Sequence, residues 1–498
     1  MVKFLDRYRL FLQRMGLIGA SNFLVTITSI LFLPIVTQNL SIADYAVYIQ
    51  FQITITLVYS VAILGLPYTM VRFMAASKNI EEIQESFYSF LFTVLGVSLI
   101  IAIILYFLAA PISNILFNGN LAVGLILPLT TFMTALMYLF FDYFRAFNQM
   151  NKYALLTIVQ AYMVIIFGAI LIFAGFGVVG AVTGILITQT LISLIMFIVV
   201  LRQIGFKIPK FKNLREYLTF GLPTIPSNAS FWVLDATDRY VIGIAIGINA
   251  VGFYSAGYTI SALMNLLTSP LYTVLLPILS QYYAERRIRD TRFLLNYSIK
   301  LYLVVAVPAV VGLSVLARPL LYILATPELA NVGYIITPIL ATGGLIFGLY
   351  CIVTQIIVME RRTKITGYIW VIATVLNVIV DITAGYLFGI VGIAVSTLLI
   401  YLFAFLVTAY YAYGYIRCNF YFGFIAKTIY AAIFMAFVLF LLNPSGLINI
   451  LLSGIFAFAF YLFVLWLLKG IKTSEIKFFI DILKEIIISN YRLLRGLI

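Results

Sequence analysis

The sequence predicts an all-α polytopic membrane protein with fourteen transmembrane helices, arranged as two six-helix lobes followed by two more helices. Three observations carry that expectation. Of the 498 residues, 64% are hydrophobic and only 10% are charged, whereas roughly a quarter of a soluble domain is charged. The apolar residues gather into runs long enough to cross a hydrocarbon core of about 30 Å. The lysines and arginines fall on alternate connections between those runs, as expected of short cytoplasmic loops.

The chain opens with a short basic amphipathic stretch, Met1 to Arg14, carrying Lys3, Arg7, Arg9 and Arg14. The apolar run Gly16 to Val36 follows. It lacks a small-residue cleavage site, so it reads as an uncleaved first span. Further spans are expected at about 45–71, 86–110, 122–141, 153–174 and 178–201. After a seventh at 217–247 come 251–280, 296–325, 332–358, 365–387, 390–413, 423–442 and 446–468. Residues 1–201 then form an N-lobe of six helices, 202–216 a basic cytoplasmic linker and 217–413 a C-lobe. Residues 414–469 hold helices thirteen and fourteen, and 470–498 form a cytoplasmic amphipathic tail. Within that tail Ser474 to Ile498 places Lys477, Lys484, Arg492 and Arg495 among apolar residues, which suits a helix lying on the inner surface.

With the N-terminus cytoplasmic, 29 of the 31 lysines and arginines fall on the cytoplasmic side, in connections, termini or the cytoplasmic ends of spans, and two, Arg239 and Arg318, fall deeper inside spans. The net charge of +14 is therefore a topology signal and a means of contacting anionic lipids at the cytoplasmic face. A nucleic-acid partner is not expected. The outside connections are short and hold two carboxylates, Asp44 and Glu328, each alone. A membrane enzyme acting on lipid-linked sugars would need a larger outside domain with catalytic acids. No catalytic residue is assigned and the protein is not expected to be an enzyme. The absence of histidine excludes a histidine-based metal site, and Cys351 and Cys418 do not suggest a disulfide framework.

The chain repeats itself. At a spacing of 212, Lys152, Val159, Ala161, Phe176, Gly177, Val179 and Gly180 match Lys364, Val371, Ala373, Phe388, Gly389, Val391 and Gly392. At 206, Ser21-Asn22 matches Ser227-Asn228 and Tyr48 matches Tyr254. Six spans separate the copies, an even number, so both lobes share one orientation about an axis along the membrane normal, with a substrate path between them.

The seventh span is the unusual one. Pro223 and Pro226 would bend or break it near its cytoplasmic end. On a helix Asn228, Asp235 and Arg239 follow at steps of seven and four and share a face, with Asp238 one step off that line. An ionised group at mid-membrane costs about 2.5–3.5 kcal/mol on insertion scales, so such groups turn to a bundle interior or a watery cavity. In the repeat, Asp235, Asp238 and Arg239 correspond to Ser29, Phe32 and Leu33, so the charges are additions to a scaffold that folds without them.

The residues FGLPTIPSNASFWVLDATDRYVIG (220–243) resemble the helix-seven signature of Wzx-type polysaccharide flippases, in the polysaccharide transport branch of the MOP exporter superfamily. LPIVTQNLSIADYAVY (33–48), GLPYTMVRF (65–73) and INAVGFYSAGY (248–258) are similar to other stretches of that family. The resemblance implies a V-shaped, MATE-like pair of lobes around a central cavity, working by alternating access. It also implies transfer of a polyprenyl-pyrophosphate-linked oligosaccharide to the outer leaflet, with other glycan-assembly proteins as partners. No cofactor is implied beyond coupling to H⁺ or Na⁺. The chain departs from a cationic cavity, because its intramembrane charges are Asp235, Asp238, Asp381, Arg239 and Arg318.

Each candidate has a plainer reading beside the functional one. Asn22, Asn228, Trp232, Asp235, Asp238 and Arg239 are the cavity candidates, yet Asp235 and Arg239 at i and i+4 could simply neutralise each other. Asp238 could instead reach toward the outer interface. Asn377 and Asp381 share a face of the eleventh span and could hold the coupling ion or a hydrogen bond to a neighbouring helix. Arg72 and Arg145 sit at cytoplasmic helix ends, where phosphate capture competes with topology as their explanation. Arg318 reads as an interface anchor. The alternative overall function, a MATE-type antiporter, usually shows a carboxylate in the first span, and Gly16 to Val36 has none.

Overall fold

The computed structural model describes residues 2–74, 79–419 and 421–470; the side chains of 2–18, 226–235, 269–274 and 277–278 lie outside that description. So does the tail helix expected over Ser474 to Ile498. Among the described residues every regular element is helical, as a chain with no water to satisfy its backbone requires unless it closes a barrel.

The N-terminal half comprises α1 (Val2–Asn39), α2 (Ile42–Ala62), α3 (Leu66–Phe73), α4 (Ile80–Phe107), α5 (Ala109–Leu116), α6 (Leu121–Ala146), α7 (Met150–Leu171) and α8 (Gly177–Ile204). The basic opening stretch is continuous with the first span, since α1 runs unbroken from Val2. Next come α9 (Leu214–Gly221), α10 (Ile225–Ala245), α11 (Ile248–Ser261), α12 (Asn265–Ala284) and α13 (Ile288–Leu324). The chain continues with α14 (Pro327–Met359), α15 (Thr363–Tyr413), α16 (Phe422–Leu442) and α17 (Leu447–Leu467).

Ten of these apolar stretches are long enough to cross a membrane, and the longest are Met150–Ile204, of 55 residues, and Thr363–Tyr413, of 51. A straight helix of that length would extend about 80 Å, more than twice a hydrocarbon core, so each must fold back. Both do so at a glycine: Gly177 has φ 58° and ψ −139°, Gly389 has φ 63° and ψ −149°. That region of backbone space is essentially closed to residues with a Cβ. Just beyond each turn the two helical arms of the hairpin close up; a Cβ on Gly180 would lie 2.9 Å from the Leu171 carbonyl, and one on Gly392 would lie 2.4 Å from that of Ala384. The repeat spaced at 212 residues is thus a repeated backbone turn. With the segmented seventh and eighth spans, α9–α10 and α11–α12, the described residues make fourteen crossings.

Several spans break, most of them where composition gives no warning. The second divides at Gly65, φ 66°, into α2 and α3. The third continues past Leu108 as α5. The seventh breaks as Pro223 and Pro226 require, with one 3₁₀ turn at Leu222–Thr224 between α9 and α10. The eighth carries a similar turn at Ala262–Met264.

Packing follows the two halves. One core, from residues 59–217, is filled by Phe87, Tyr88, Phe140, Tyr143 and Phe144. A second, from residues 264–465, joins α12, α13 and α14 to the last two helices, α16 and α17. A third draws on both halves, placing Phe32, Tyr48 and Phe51 with Ala256, Ile260 and Leu324. Helix α9 belongs by packing to the first core. Tyr217 is buried there, its hydroxyl 2.8 Å from Ser86 Oγ and its ring 4.8 Å from that of Phe90.

Candidate functional site

The seam between the halves is made chiefly by α2 against α10 and α11. Polar groups stitch it: Gln50 Nε2 donates to the Arg239 carbonyl at 2.9 Å, and Thr54 Oγ1 lies 3.0 Å from the Tyr240 hydroxyl. Beside the seam a cavity of about 660 Å³ opens, lined by α1, α2, α6, α7 and α8 on one side and by α10, α11 and their neighbours on the other.

The lining on the N-terminal side mixes apolar side chains with polar ones that carry no charge. Gln52, Thr134, Tyr138, Gln160 and Gln189 all reach it. Tyr59 and Tyr138 stack face to face, centroids 4.3 Å apart and planes within 4°. The Thr134 hydroxyl donates to Gln189 Oε1, which fixes that amide and leaves its NH₂ to donate elsewhere. From the other side comes Arg239, the only ionised side chain on the lining among the described residues. Its guanidinium lies 3.8 Å from the centre of the Tyr258 ring and 5.9 Å from that of Tyr254, a cation–π arrangement that strengthens where water is excluded. Such a cavity can hydrogen-bond hydroxyls, stack against a sugar face and meet a single anion.

Asp238, one residue away, does not line this cavity. It is buried in the C-terminal half, accepting from the Tyr254 hydroxyl and from Thr397 Oγ1 at 2.9 Å. The reach toward an interface considered from the sequence does not occur. Asp381 and Asn377, both 0% exposed, join it from the first half of α15, and Ser396 from the second half. Asp238, Ser396 and Asn377 are the polar neighbours of Asp381. Even so, both Asp381 carboxyl oxygens, Asp238 Oδ1, Ser396 Oγ and both amide atoms of Asn377 make no hydrogen bond in good geometry. An unsatisfied buried polar group costs about 1–3 kcal/mol, and here six such atoms converge. Five of the six are hard oxygens, the kind that suits a proton or a small hard cation such as Na⁺; the sixth, Asn377 Nδ2, can only donate a hydrogen bond.

The other sequence candidates separate. Asn22 lies on α1, short of the cavity, its carbonyl accepting from Thr26 Oγ1 at 2.9 Å. α10 carries Asn228, Trp232 and Asp235, whose side chains lie outside the described residues. Arg145 is held by Asp142 at 2.9 Å. Arg72 lies apart from it, its guanidinium 4.4 Å from the centre of the Phe220 ring. Arg318 donates to Asn331 Oδ1 at 3.0 Å, beside Tyr322 and Tyr334.

Gln52, Gln160, Gln189, Tyr258 and Thr397 were not singled out from sequence. The glutamines had a signal: an amide inside an apolar span needs a polar partner or a cavity. The two hydroxyl-bearing residues had none, because nothing local distinguishes them from the other tyrosines and threonines.

The family model described as "Polysaccharide biosynthesis protein" matches residues 11–283, and one described as "MatE" matches 223–383. A probable low-salt glycan biosynthesis flippase, Agl15, of Haloferax volcanii is 23% identical over 277 residues. That match spans 55% of this chain and 58% of the relative's length. Among solved structures, the lipid II flippase MurJ in an inward closed conformation superposes with a TM-score of 0.71 at 17% identity, over 89% of this chain and 97% of that one. An inward-facing multidrug resistance MATE family transporter of the MOP superfamily gives 0.65 at 16% identity, over 78% and 93%. At these identities the likeness is one of fold.

Proposed function

Because this chain belongs to the polysaccharide biosynthesis protein family, we propose that it is a flippase for a lipid-linked oligosaccharide. It carries the headgroup from the cytoplasmic to the outer leaflet of the cell membrane by alternating access between its two halves. The observation that carries this reading is the cavity: hydroxyls, amides and a tyrosine stack on one side, and Arg239 on the other.

A lipid-linked glycan needs a polar path for its sugars and phosphate only, since its polyprenyl tail stays in hydrocarbon. The headgroup must still pass about 30 Å of bilayer. The amides of Gln52, Gln160 and Gln189 would bond sugar hydroxyls, and the ring faces of Tyr59 and Tyr138 would stack on them. Arg239 would meet a phosphate oxygen by charge-assisted hydrogen bonds. Asn228, Trp232 and Asp235, which share its helix, are proposed to extend the same path. A cationic drug is poorly served by a lining whose one described charge is positive, which disfavours the antiporter.

The basic end of the bundle is proposed to be cytoplasmic, with both termini there, and to rest on anionic lipid headgroups. Coupling is assigned to Asp238, Asn377, Asp381, Ser396 and Thr397, which suit Na⁺ or a proton shared between the carboxylates. The partners on this reading are the lipid-linked glycan and the glycan-assembly proteins that make and consume it.

Loss of the gene should leave lipid-linked oligosaccharide on the cytoplasmic leaflet, with the matching surface glycan or glycoprotein sugar missing. Normal surface glycan together with new sensitivity to cationic dyes would overturn the flippase and favour the antiporter.

A further inference from the structure

A second pocket, of about 560 Å³, lies at the basic end of the bundle, away from the inter-half cavity. Arg72 reaches it from α3, Lys212 from the turn that leads into α9, and Arg215 from the first turn of α9 itself. These residues are some 140 apart in sequence, and it is the docking of α9 on the N-terminal half, through Tyr217, that brings them together. Thr69 Oγ1 donating to the Tyr217 carbonyl at 3.3 Å fixes α3 against α9 at the same place.

Basic residues are expected at this end of a membrane protein, so their presence alone means little. What sets these three apart is that one pocket gathers them without a bonded carboxylate. Arg145 is paired with Asp142, and Arg287 with Asp290 and Glu285. Among the described residues no ion pair engages Arg72, Lys212 or Arg215, although Glu216 lines the same pocket. Three cations and one carboxylate leave the pocket net positive. Arg72 is also held in place, its guanidinium 4.4 Å from the centre of the Phe220 ring and 5.6 Å from that of Phe73. A flat guanidinium braced on aromatic rings keeps its N–H fork aimed outward, the geometry that meets a phosphate.

We propose that this pocket binds a phosphate ester group, held by Arg72, Lys212 and Arg215. The segment leading to it favours a phosphate carried on a lipid. Phe206, Ile208 and Phe211 are 59%, 73% and 42% exposed and are interleaved with Lys207, Lys210 and Lys212. That alternation suits a strand of chain lying along headgroups with its apolar side chains dipped among them. The assignment stands whether or not the flippase reading does, because its readout is binding.

The test uses the full-length protein in nanodiscs of phosphatidylcholine with and without phosphatidylglycerol, with retained lipid counted by native mass spectrometry. The wild type should keep phosphatidylglycerol. R72Q/K212Q/R215Q should lose it by about tenfold or more, since each lost contact is a hydrogen bond to a charged group. R361Q/R362Q, which removes two arginine charges elsewhere at the basic end, should keep it. Displacement by excess inorganic phosphate would assign the pocket to a free phosphate, and no displacement to a lipid headgroup. Phe220→Leu leaves every charge in place and removes the ring under Arg72. It should weaken retention with an unchanged melting temperature, and it decides the matter if the triple variant fails to fold. Equal retention by wild type, the triple variant and Phe220→Leu would overturn the proposal. So would equal loss in R361Q/R362Q, which would mean diffuse charge and no pocket.

Discussion

Asp238 and Arg239 are consecutive residues of α10 that serve different places: Arg239 lines the cavity between the halves, and Asp238 is buried against Tyr254 and Thr397 within the C-terminal half. Successive helical side chains point about 100° apart, so one helix can carry both sites with no intervening structure. A shift of α10 that follows a change at Asp238 must also move Arg239. That is a direct mechanical link between the proposed ion site and the proposed substrate path.

The ion site is checked by melting temperature in sodium against potassium or choline. A ligand at a hundredfold excess over its Kd stabilises by about 2.7 kcal/mol, so the wild type should melt higher in sodium. Asp381→Asn keeps the shape and removes the charge, and it should abolish the difference while remaining folded. A proton in place of sodium would make the wild type respond to pH and not to sodium, again with loss in Asp381→Asn. A wild type indifferent to both, or a variant that responds as the wild type does, would remove the site.

Arg239→Ala and Asp235→Ala should each abolish transport, read as surface glycan, while protein abundance stays near normal. If the two residues merely neutralise each other, exchanging them should restore full function, because an ion pair tolerates reversal better than a binding site does. Loss of folded protein in both single variants would argue the same way.

Topology is read by single cysteines. Those at Asn118, Asn249 and Glu328 should react with impermeant maleimide added outside intact cells, and those at Lys210 and Arg289 should not. The native thiols should add little background. Cys351 is buried, and burial pushes the Cys418 thiol up to about 11, so at neutral pH almost none of it is the reactive thiolate. Labelling at Lys210 from outside would refute the orientation.

Gly177→Ala and Gly389→Ala should each lower stability by about 1–3 kcal/mol, the usual cost of holding a residue with a Cβ in a sparsely populated backbone region. Gly367→Ala is the control. Gly367 has ordinary helical backbone and open space where its Cβ would go, so that change should be neutral or slightly stabilising. Equal effects at all three positions would mean that the hairpin conformation is not what those glycines supply.

Much of the fold was legible because membrane chains advertise it. Apolar length and alternating basic connections located the crossings, and Phe176-Gly177 and Phe388-Gly389 marked the equivalent turns. The breaks were legible only where proline announced them, at Pro223 and Pro226. Gly65 sits among apolar residues in a run that reads as one span, and only its φ of 66° reveals the division. The polar residues of the seventh span stood out because charge is rare in hydrocarbon. Their partners did not, since Asp238 meets Thr397 across 159 residues, and no local pattern encodes such a meeting. Asp381 and Asn377 were visible as a pair on one face. That they join Asp238, away from the cavity, is a product of tertiary packing.

The burial of Tyr217 bears on how the molecule can be taken apart. Its ring completes a core otherwise built from residues 59–204, so a fragment ending at residue 201 would be left with a hole beside Phe90 and an unanswered hydroxyl at Ser86. During synthesis the first half cannot finish packing until α9 has left the ribosome. Anyone expressing the protein as two co-assembling polypeptides should therefore cut after Gly221, at the 3₁₀ turn before α10, and let the first fragment keep the opening of the seventh span.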